Sequence, residues 1–327
     1  MKFRLLGRTG LKLSILGMGG SGFGNVYGNY NQETATHAVK EALDRGVNYI
    51  DTAYWYGQGQ SELFLGRALR GIKRENFIVS TKVCRYEQDY PNMFDFSAET
   101  VNRSAYESLK RLQLDHIDIL QIHDVEFAPS IATVLHETLP ALQRLKDQGL
   151  CRYIGITGYP LSILRKITEE STIPIDCVLS YCRLTLNDTS LIDHFHYFNS
   201  RNVGLINASP IGMGLLTPNG VQPWHPASAD IKSACAKAME FCQEQGVDIA
   251  QLAINFSTSF KEITTTLVSM NDDVTVGNNI AATLNPLTKH EAHVRDCIIK
   301  KYFSPLKQRH WEGVEVEKYK KQLMQHK

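Results

Sequence analysis

No run of this chain is apolar over the length needed to span a bilayer, and none of its seven cysteines stands in a Cys-x-x-Cys pair. The first absence excludes a helical membrane segment. The second, with an odd cysteine count at positions 84, 151, 177, 182, 235, 242 and 297, argues against a disulfide framework or a zinc knuckle and favours a reducing, cytoplasmic setting. An excess of one charge is also missing: 35 Lys+Arg face 34 Asp+Glu, for a net charge of +1. That balance offers nothing to hold a nucleic acid or an anionic membrane. No apolar leader follows Met1–Arg4, and no Pro/Gly/Ser-rich linker divides the chain. His290-Glu291-Ala292-His293 is one residue short of the H-E-x-x-H spacing that turns two rings toward one metal on a helix, and His194-Phe195-His196 has no acid or Cys cluster to complete a site. No metal is expected, and the oligomeric state is left open.

What the chain does have is alternation. Short apolar runs at Leu13–Gly19, Tyr49–Asp51, Phe77–Val83, Ile117–His123, Tyr153–Thr157, Cys177–Tyr181, Gly204–Ala208 and Thr264–Val268 read as strands covered on both faces. Amphipathic segments lie between them. Asn31 is placed to cap a helix whose apolar face is Ala35, Ala38, Val39 and Ala42. Ser97 is placed to cap another, with Phe96 and Val101 as a hydrophobic staple. Further helices are expected over Ser61–Arg70, Glu137–Gln148, Leu161–Glu169, Ser190–Ser200, Ala229–Gln245, Ile249–Ser257 and Asp273–Ala282. Eight such units predict an α/β protein, with a (β/α)8 TIM barrel as the natural closure although the pattern alone also fits an open doubly wound sheet, forming one domain over residues 1–327 with residues 303–327 as a C-terminal extension. The charged stretch Val314–Lys327 shows no clean apolar face and reads as a solvated or partner-dependent extension.

Gly17-Met18-Gly19-Gly20-Ser21-Gly22 matches the G-x-G-x-x-G fingerprint. A dinucleotide-binding turn of that kind requires a helix to open at the glycines. Here a Gly/Asn/Tyr-rich stretch, Phe23–Tyr30, comes first, so a loop over a ligand is the better expectation.

Polar residues stand at successive strand ends: Asp51 after the second run, Lys82 in the third and His123 closing the fourth, with Tyr56 shortly beyond Asp51. In a barrel all strand C-termini share one face, so these groups converge. A free phenol has a pKa of about 10, so roughly one in a thousand is ionised at neutral pH. An ammonium beside it lowers that value. Asp51 would hold Lys82 protonated, His123 would hydrogen-bond the substrate oxygen, and Tyr56 would serve as general acid or base in a carbonyl–alcohol interconversion. The hydride must come from a nicotinamide, because no side chain supplies one.

This arrangement resembles the aldo-keto reductase family over nearly the whole chain. The resemblance is carried by Asp51-Thr52-Ala53, Tyr56-Gly57, Ser61-Glu62, strand-terminal Lys82 and His123, Arg152–Thr157 and Ser209-Pro210, in family order. It implies a barrel with the nicotinamide extended across the strand ends, contacted by Gly19, Thr157, Ser209, Pro210, Leu215, Ser269, Met270, Asn271, Asp273, Asn278 and Asn279. Trp55, Asp124 and Trp311 are candidate substrate contacts by position.

Several segments are closer to the branch of the family that oxidises L-galactose: Asp95–Glu99, His123–Phe127, Ser180-Tyr181-Cys182, Met213–Thr217 and Trp224–Ser228. This implies oxidation of an aldose at C1 to its lactone with NAD. In NADP-preferring relatives the loop after the eighth strand carries Lys or Arg for the 2′-phosphate. Here Ser269–Asn279 has neither, and it contains Asp272 and Asp273, which would repel a phosphate dianion by roughly 1 kcal/mol per close pair even in water. NAD is therefore expected over NADP, although either aspartate could instead cap the following helix. Thr157-Gly158 replaces the usual Ser-Asn, and Ala208 stands where relatives place an aromatic, so the grip on the nicotinamide ring is expected to differ. Two further readings are compatible with these residues: a broad NADPH-dependent aldehyde or ketone reductase, and a regulatory module that binds nicotinamide without useful turnover.

Overall fold

The computed structural model describes residues 1–325 of the chain. Ten strands occur among the described residues: β1 (Phe3–Leu5), β2 (Lys12–Ser14), β3 (Leu16–Gly19), β4 (Tyr49–Asp51), β5 (Ile78–Val83), β6 (Ile117–Ile122), β7 (Cys151–Gly158), β8 (Cys177–Tyr181), β9 (Gly204–Ala208) and β10 (Thr265–Val268). Strands β3 to β10 pair in parallel in chain order, and β10 returns to β3, closing a (β/α)8 barrel. Strands covered on both faces are expected to be apolar throughout, and all six residues of β6 are buried.

The run Leu13–Gly19 is two strands rather than one. Ile15 divides it, with its N–H donating to Lys2 in the hairpin and its carbonyl accepting from Thr266 of β10. Upstream, β2 pairs antiparallel with β1. Leu6, Leu11 and Leu13 of this hairpin pack among the inward-facing Tyr49, Ile119, Cys177, Leu179, Ile206 and Leu267. They plug the end of the barrel opposite the strand C-termini, and a cleft opens at the strand-end face.

The helix starts follow the expected chemistry. Asn31 accepts from the Thr34 N–H at 2.9 Å, and the helix Gln32–Asp44 buries Ala35, Ala38, Val39 and Ala42. Ser97 accepts from the Thr100 N–H, and Phe96 and Val101 are both buried around that cap. The helix expected from Glu137 starts earlier, at Ile131, where Ser130 caps it, and reaches Asp147 through a π-helical turn over Val134–Thr138. An additional helix, Lys289–Ile298, follows the last of the expected ones; Thr288 and Glu291 form its capping box.

The C-terminal stretch is not a solvated extension over its described part. Residues Val314–Gln325 form a helix whose buried Tyr319 meets Phe94, Phe127 and Tyr90 at centroid distances of 5.3, 5.5 and 5.6 Å. Just before it, Trp311 is buried and stacks on Tyr159 at 4.9 Å, with His225 edge-on at 4.9 Å. One or two large side chains dock this segment, which is too sparse a pattern to register as a periodic apolar face. Among the described residues no helix is long and apolar enough to cross a membrane.

Candidate active site

The register of β3 to β6 assembles the strand-end groups. Asp51 pairs across with Gly19 on one side and Ser80 on the other, and Lys82 lies opposite Gln121. The Asp51 carboxylate therefore faces three donors. Lys82 Nζ bonds its Oδ1, while Ser80 Oγ at 2.5 Å and Gln121 Nε2 at 2.8 Å donate to Oδ2. Lys82 is fully buried, and its two remaining contacts are the Thr52 carbonyl at 2.8 Å and Tyr56 Oη at 3.2 Å. Burial by itself would drive the proton off this lysine, but Asp51 and then Tyr56 outweigh it, and its pKa stands above the ordinary value. Gln121 and Ser80 were not singled out in the sequence. Their signal was a polar residue within a fully covered strand, beside Thr81 and Lys82 in β5 and with Asp118 in β6.

Tyr56 reaches this cluster from the loop after β4. A glycine contact makes its place possible: a Cβ on Gly24 would lie 2.3 Å from the Tyr56 carbonyl carbon. The phenol is the point at which sequence expectation and structure part. Lys82 pulls its pKa down, but burial pushes harder, and the phenol sits above its ordinary value. The ammonium is near enough to favour a phenolate, yet the site holds the phenol protonated. His123 stands edge-on to Tyr56, with ring centroids 5.9 Å apart. Burial first, then Lys82 and Arg85, hold its pKa well below the usual histidine range, so the imidazole is neutral. Its Nδ1 has no partner among the described residues.

A second set of groups flanks His123. Trp55 lies 6.4 Å from it, centroid to centroid. Asp124 Oδ2 is 3.7 Å from His123 Nε2 and accepts from Arg85 at 2.6 Å. Asp124 occupies the left-handed region at φ 51°, and its N–H donates to Thr157 Oγ1 at 2.9 Å. Arg85, three residues beyond Lys82, was not anticipated from the sequence.

From Tyr56 a cleft runs across the strand ends. It is lined by Gly19, Gly20, Ser21, Gly22 and Tyr27 on one side, and by Ser209, Pro210, Met213, Ser269 and Asn271 on the other. The G-x-G-x-x-G segment forms this wall as the end of β3 followed by a 3-10 turn, Gly20–Gly24, and the first α-helix opens only at Gln32. A Cβ on Gly22 would come within 2.5 Å of the Asn271 amide, whose Oδ1 is buried without a partner. A groove of backbone, glycines and unspent polar atoms suits an extended, polar, phosphate-bearing cofactor.

Of the residues expected at the cofactor, Gly19, Ser209, Pro210, Ser269 and Asn271 line the cleft, and the others do not. Leu215 and Met270 are buried in hydrophobic clusters. Thr157 accepts from Asp124, and Asp273 pairs with His37 at 2.8 Å. Asn278 is exposed, while Asn279 donates to the Ser269 carbonyl at 3.2 Å and so steadies the cleft wall from behind. Trp311 belongs to the core that carries the C-terminal arm.

The model of the Aldo/keto reductase family matches residues 15–298. The chain belongs to the aldo-keto reductase family. As a member it is an NAD(P)-dependent oxidoreductase. It is 44% identical over 287 residues to L-galactose dehydrogenase of Arabidopsis thaliana, a match covering 86% of this chain and 88% of the relative. D-arabinose 1-dehydrogenase of Saccharomyces cerevisiae is 36% identical over 236 residues, 68% of each chain. Among solved structures, the holo form of an aldo-keto reductase from Bacillus halodurans superposes with a TM-score of 0.74 at 26% identity, covering 95% of this chain and 100% of that one.

In this aldo-keto reductase the two aspartates after β10 have separate partners. Asp272 accepts from the Thr275 N–H at 2.7 Å and forms a capping box for the helix Asp273–Leu284, and Asp273 pairs with His37. The histidine motifs lie elsewhere. His290 contacts the Gln245 carbonyl at 2.9 Å, and His293 lies 3.5 Å from Cys297.

Proposed function

We propose that this aldo-keto reductase is a cytoplasmic, NAD-dependent aldose 1-dehydrogenase that oxidises L-galactose or a similar sugar to its lactone, with Tyr56 as general base. The observation that carries the reading is the Tyr56 phenol 3.2 Å from an ammonium anchored by Asp51, at the end of a cleft with a cofactor's polarity. The names of the Arabidopsis thaliana and Saccharomyces cerevisiae sugar dehydrogenases support the substrate class.

Once ionised, Tyr56 takes the proton of the C1 hydroxyl as a phenolate. Lys82 holds charge beside the phenolic oxygen as that proton arrives, and Asp51 keeps Lys82 protonated. The neutral His123 ring donates a hydrogen bond to the same substrate oxygen and orients it. Trp55 and Asp124 bound the sugar. Gly19, Ser209, Pro210, Ser269 and Asn271 hold the dinucleotide. Asn279 acts behind them through Ser269, and Thr157 through Asp124. When bound, the nicotinamide supplies the hydride acceptor.

The preference for NAD rests on Ser269–Asn279, which offers a 2′-phosphate no Lys or Arg and two carboxylates. Arg45, next to Gly277, is engaged with Glu41 at 3.7 Å, and His37 with Asp273 at 2.8 Å. A panel of aldoses and simple aldehydes assayed with both cofactors tests the reading. L-galactose or a related aldose turned over with NAD is the expected result; activity confined to NADPH and simple aldehydes would reject it. Tight cofactor binding with no turnover of any substrate would point to a regulatory module.

A further inference from the structure

We propose that Arg85, braced by Trp55 and Asp124, is the specificity-determining residue that reads the hydroxyls of a neutral, polyhydroxylated substrate. The inference rests on the reading of the site as one that oxidises sugars.

The guanidinium is held flat. Its carbon lies 3.7 Å from the Trp55 ring centre, and one terminal nitrogen donates to Asp124 at 2.6 Å. That is one acceptor for a group with five donors. Its Nε is buried with no partner, and its second terminal nitrogen meets no acceptor among the described residues. The Trp55 indole N–H beside it is a second buried donor without a partner. Burying donors unpaired is unfavourable; Arg74, in its pair with Asp118, also keeps an unmet Nε, but both of its terminal nitrogens find acceptors, whereas Arg85 has only Asp124. The cluster also sits beside the chemistry: Asp124, which grips the guanidinium, is 3.7 Å from His123. A ligand whose reacting oxygen meets Tyr56 and His123 extends over Trp55 toward Arg85.

Charge selects what the spare donors accept. Asp124 is bonded to the guanidinium, Glu315 of the C-terminal helix is near enough to act on it, and Glu126 lies within charge reach of both carboxylates. With the guanidinium's charge already matched by Asp124, a phosphate or carboxylate on the ligand finds no free cation to offset its desolvation, whereas neutral hydroxyl and ring oxygens need none. The class of ligand is a neutral polyol carrying a carbonyl or lactol.

Reduction of three aldehydes tests this: glyceraldehyde, its dideoxy counterpart propanal, and glyceraldehyde 3-phosphate. In the wild type, kcat/KM favours glyceraldehyde over propanal, and over the phosphate, by tenfold or more. In Arg85→Gln the glyceraldehyde-to-propanal ratio falls at least fivefold, mainly through KM, and Arg85→Lys does not restore it because an ammonium lacks the flat fork. Asp124→Asn, which frees the guanidinium's charge, raises the phosphate-to-glyceraldehyde ratio at least fivefold and supplies a second readout if Arg85→Gln does not fold. An unchanged ratio in a folded variant with wild-type NADH affinity overturns the proposal, as does a wild type without preference for glyceraldehyde. Failure of the wild type to oxidise any aldose would reject the dehydrogenase reading instead, and the aldehyde ratios would still decide the role of Arg85.

Discussion

Gln121 donates a 2.8 Å hydrogen bond to Asp51 Oδ2, which leaves Oδ1 of the same carboxylate to Lys82. The amide thereby sets the carboxylate's rotation without touching the lysine. Its own Oε1 is buried and unpartnered, so Gln121→Leu removes one unmet acceptor while it strips one donor from Asp51. The two effects offset, and the expected loss of stability is about 1 kcal/mol or less. Turnover should nevertheless fall about tenfold. Lys82→Met, which leaves Asp51 buried without its counter-ion, should lower both turnover and Tm. A calorimetric scan beside steady-state kinetics separates the two variants; equal losses of Tm would contradict the positioning role of Gln121.

The protonated state of Tyr56 sets a pH dependence. Its pKa lies above the ordinary value because burial outweighs Lys82, so the base form needed for alcohol oxidation grows as pH rises. Oxidative kcat/KM should climb through the alkaline range, while carbonyl reduction, which needs the phenol protonated, stays flat across neutral pH. Tyr56→Phe should lower turnover by roughly 10²–10⁴-fold and abolish the slope. The same slope surviving in that variant would assign the base elsewhere.

Gly24 has no room for a side chain: a Cβ would sit 2.3 Å from the Tyr56 carbonyl carbon and 2.8 Å from the Gly57 nitrogen. Gly24→Ala must displace the loop that carries the phenol. Overpacking of this kind costs roughly 1–3 kcal/mol, and turnover should drop tenfold or more while cofactor affinity changes less. Wild-type kinetics in the alanine variant would show that the loop yields without moving Tyr56.

His225 is buried, with its Nε2 3.0 Å from the Gly212 carbonyl and its Nδ1 accepting from the Ala227 N–H. Burial lowers its pKa from 6.5 to about 4. Because the folded value is depressed, the unfolded chain takes up the proton first on acidification. Its contribution to stability is therefore complete above 6.5 and is lost as pH falls toward 4. Wild type should lose more Tm between pH 7 and pH 4.5 than His225→Gln does. Identical losses would place the acid sensitivity elsewhere, with buried His123, whose shift has the same sign, as the next group to test.

Local physics made much of this protein legible in advance. Runs such as Tyr49–Asp51, Cys177–Tyr181 and Gly204–Ala208 coincide with strands, and the caps at Asn31 and Ser97 are where short polar side chains meet open helix N-termini. Both signals depend on neighbours a few residues apart, so the sequence carries them whole. The alternation also pointed to a parallel α/β sheet, and with it the face on which Asp51, Lys82 and His123 emerge, while the pairing of β10 with β3 that closes the barrel is tertiary. Tertiary structure alone decided the rest. Whether Tyr56 is acidic turns on how deeply the closed barrel buries it against a single ammonium, a balance of desolvation and charge that no spacing encodes. Arg85 acquires its place only when the ends of β5 and β6 bring it to Asp124, and the C-terminal helix docks through the long-range packing of Tyr319 and Trp311. Desolvation and contact between distant segments are properties of the folded whole.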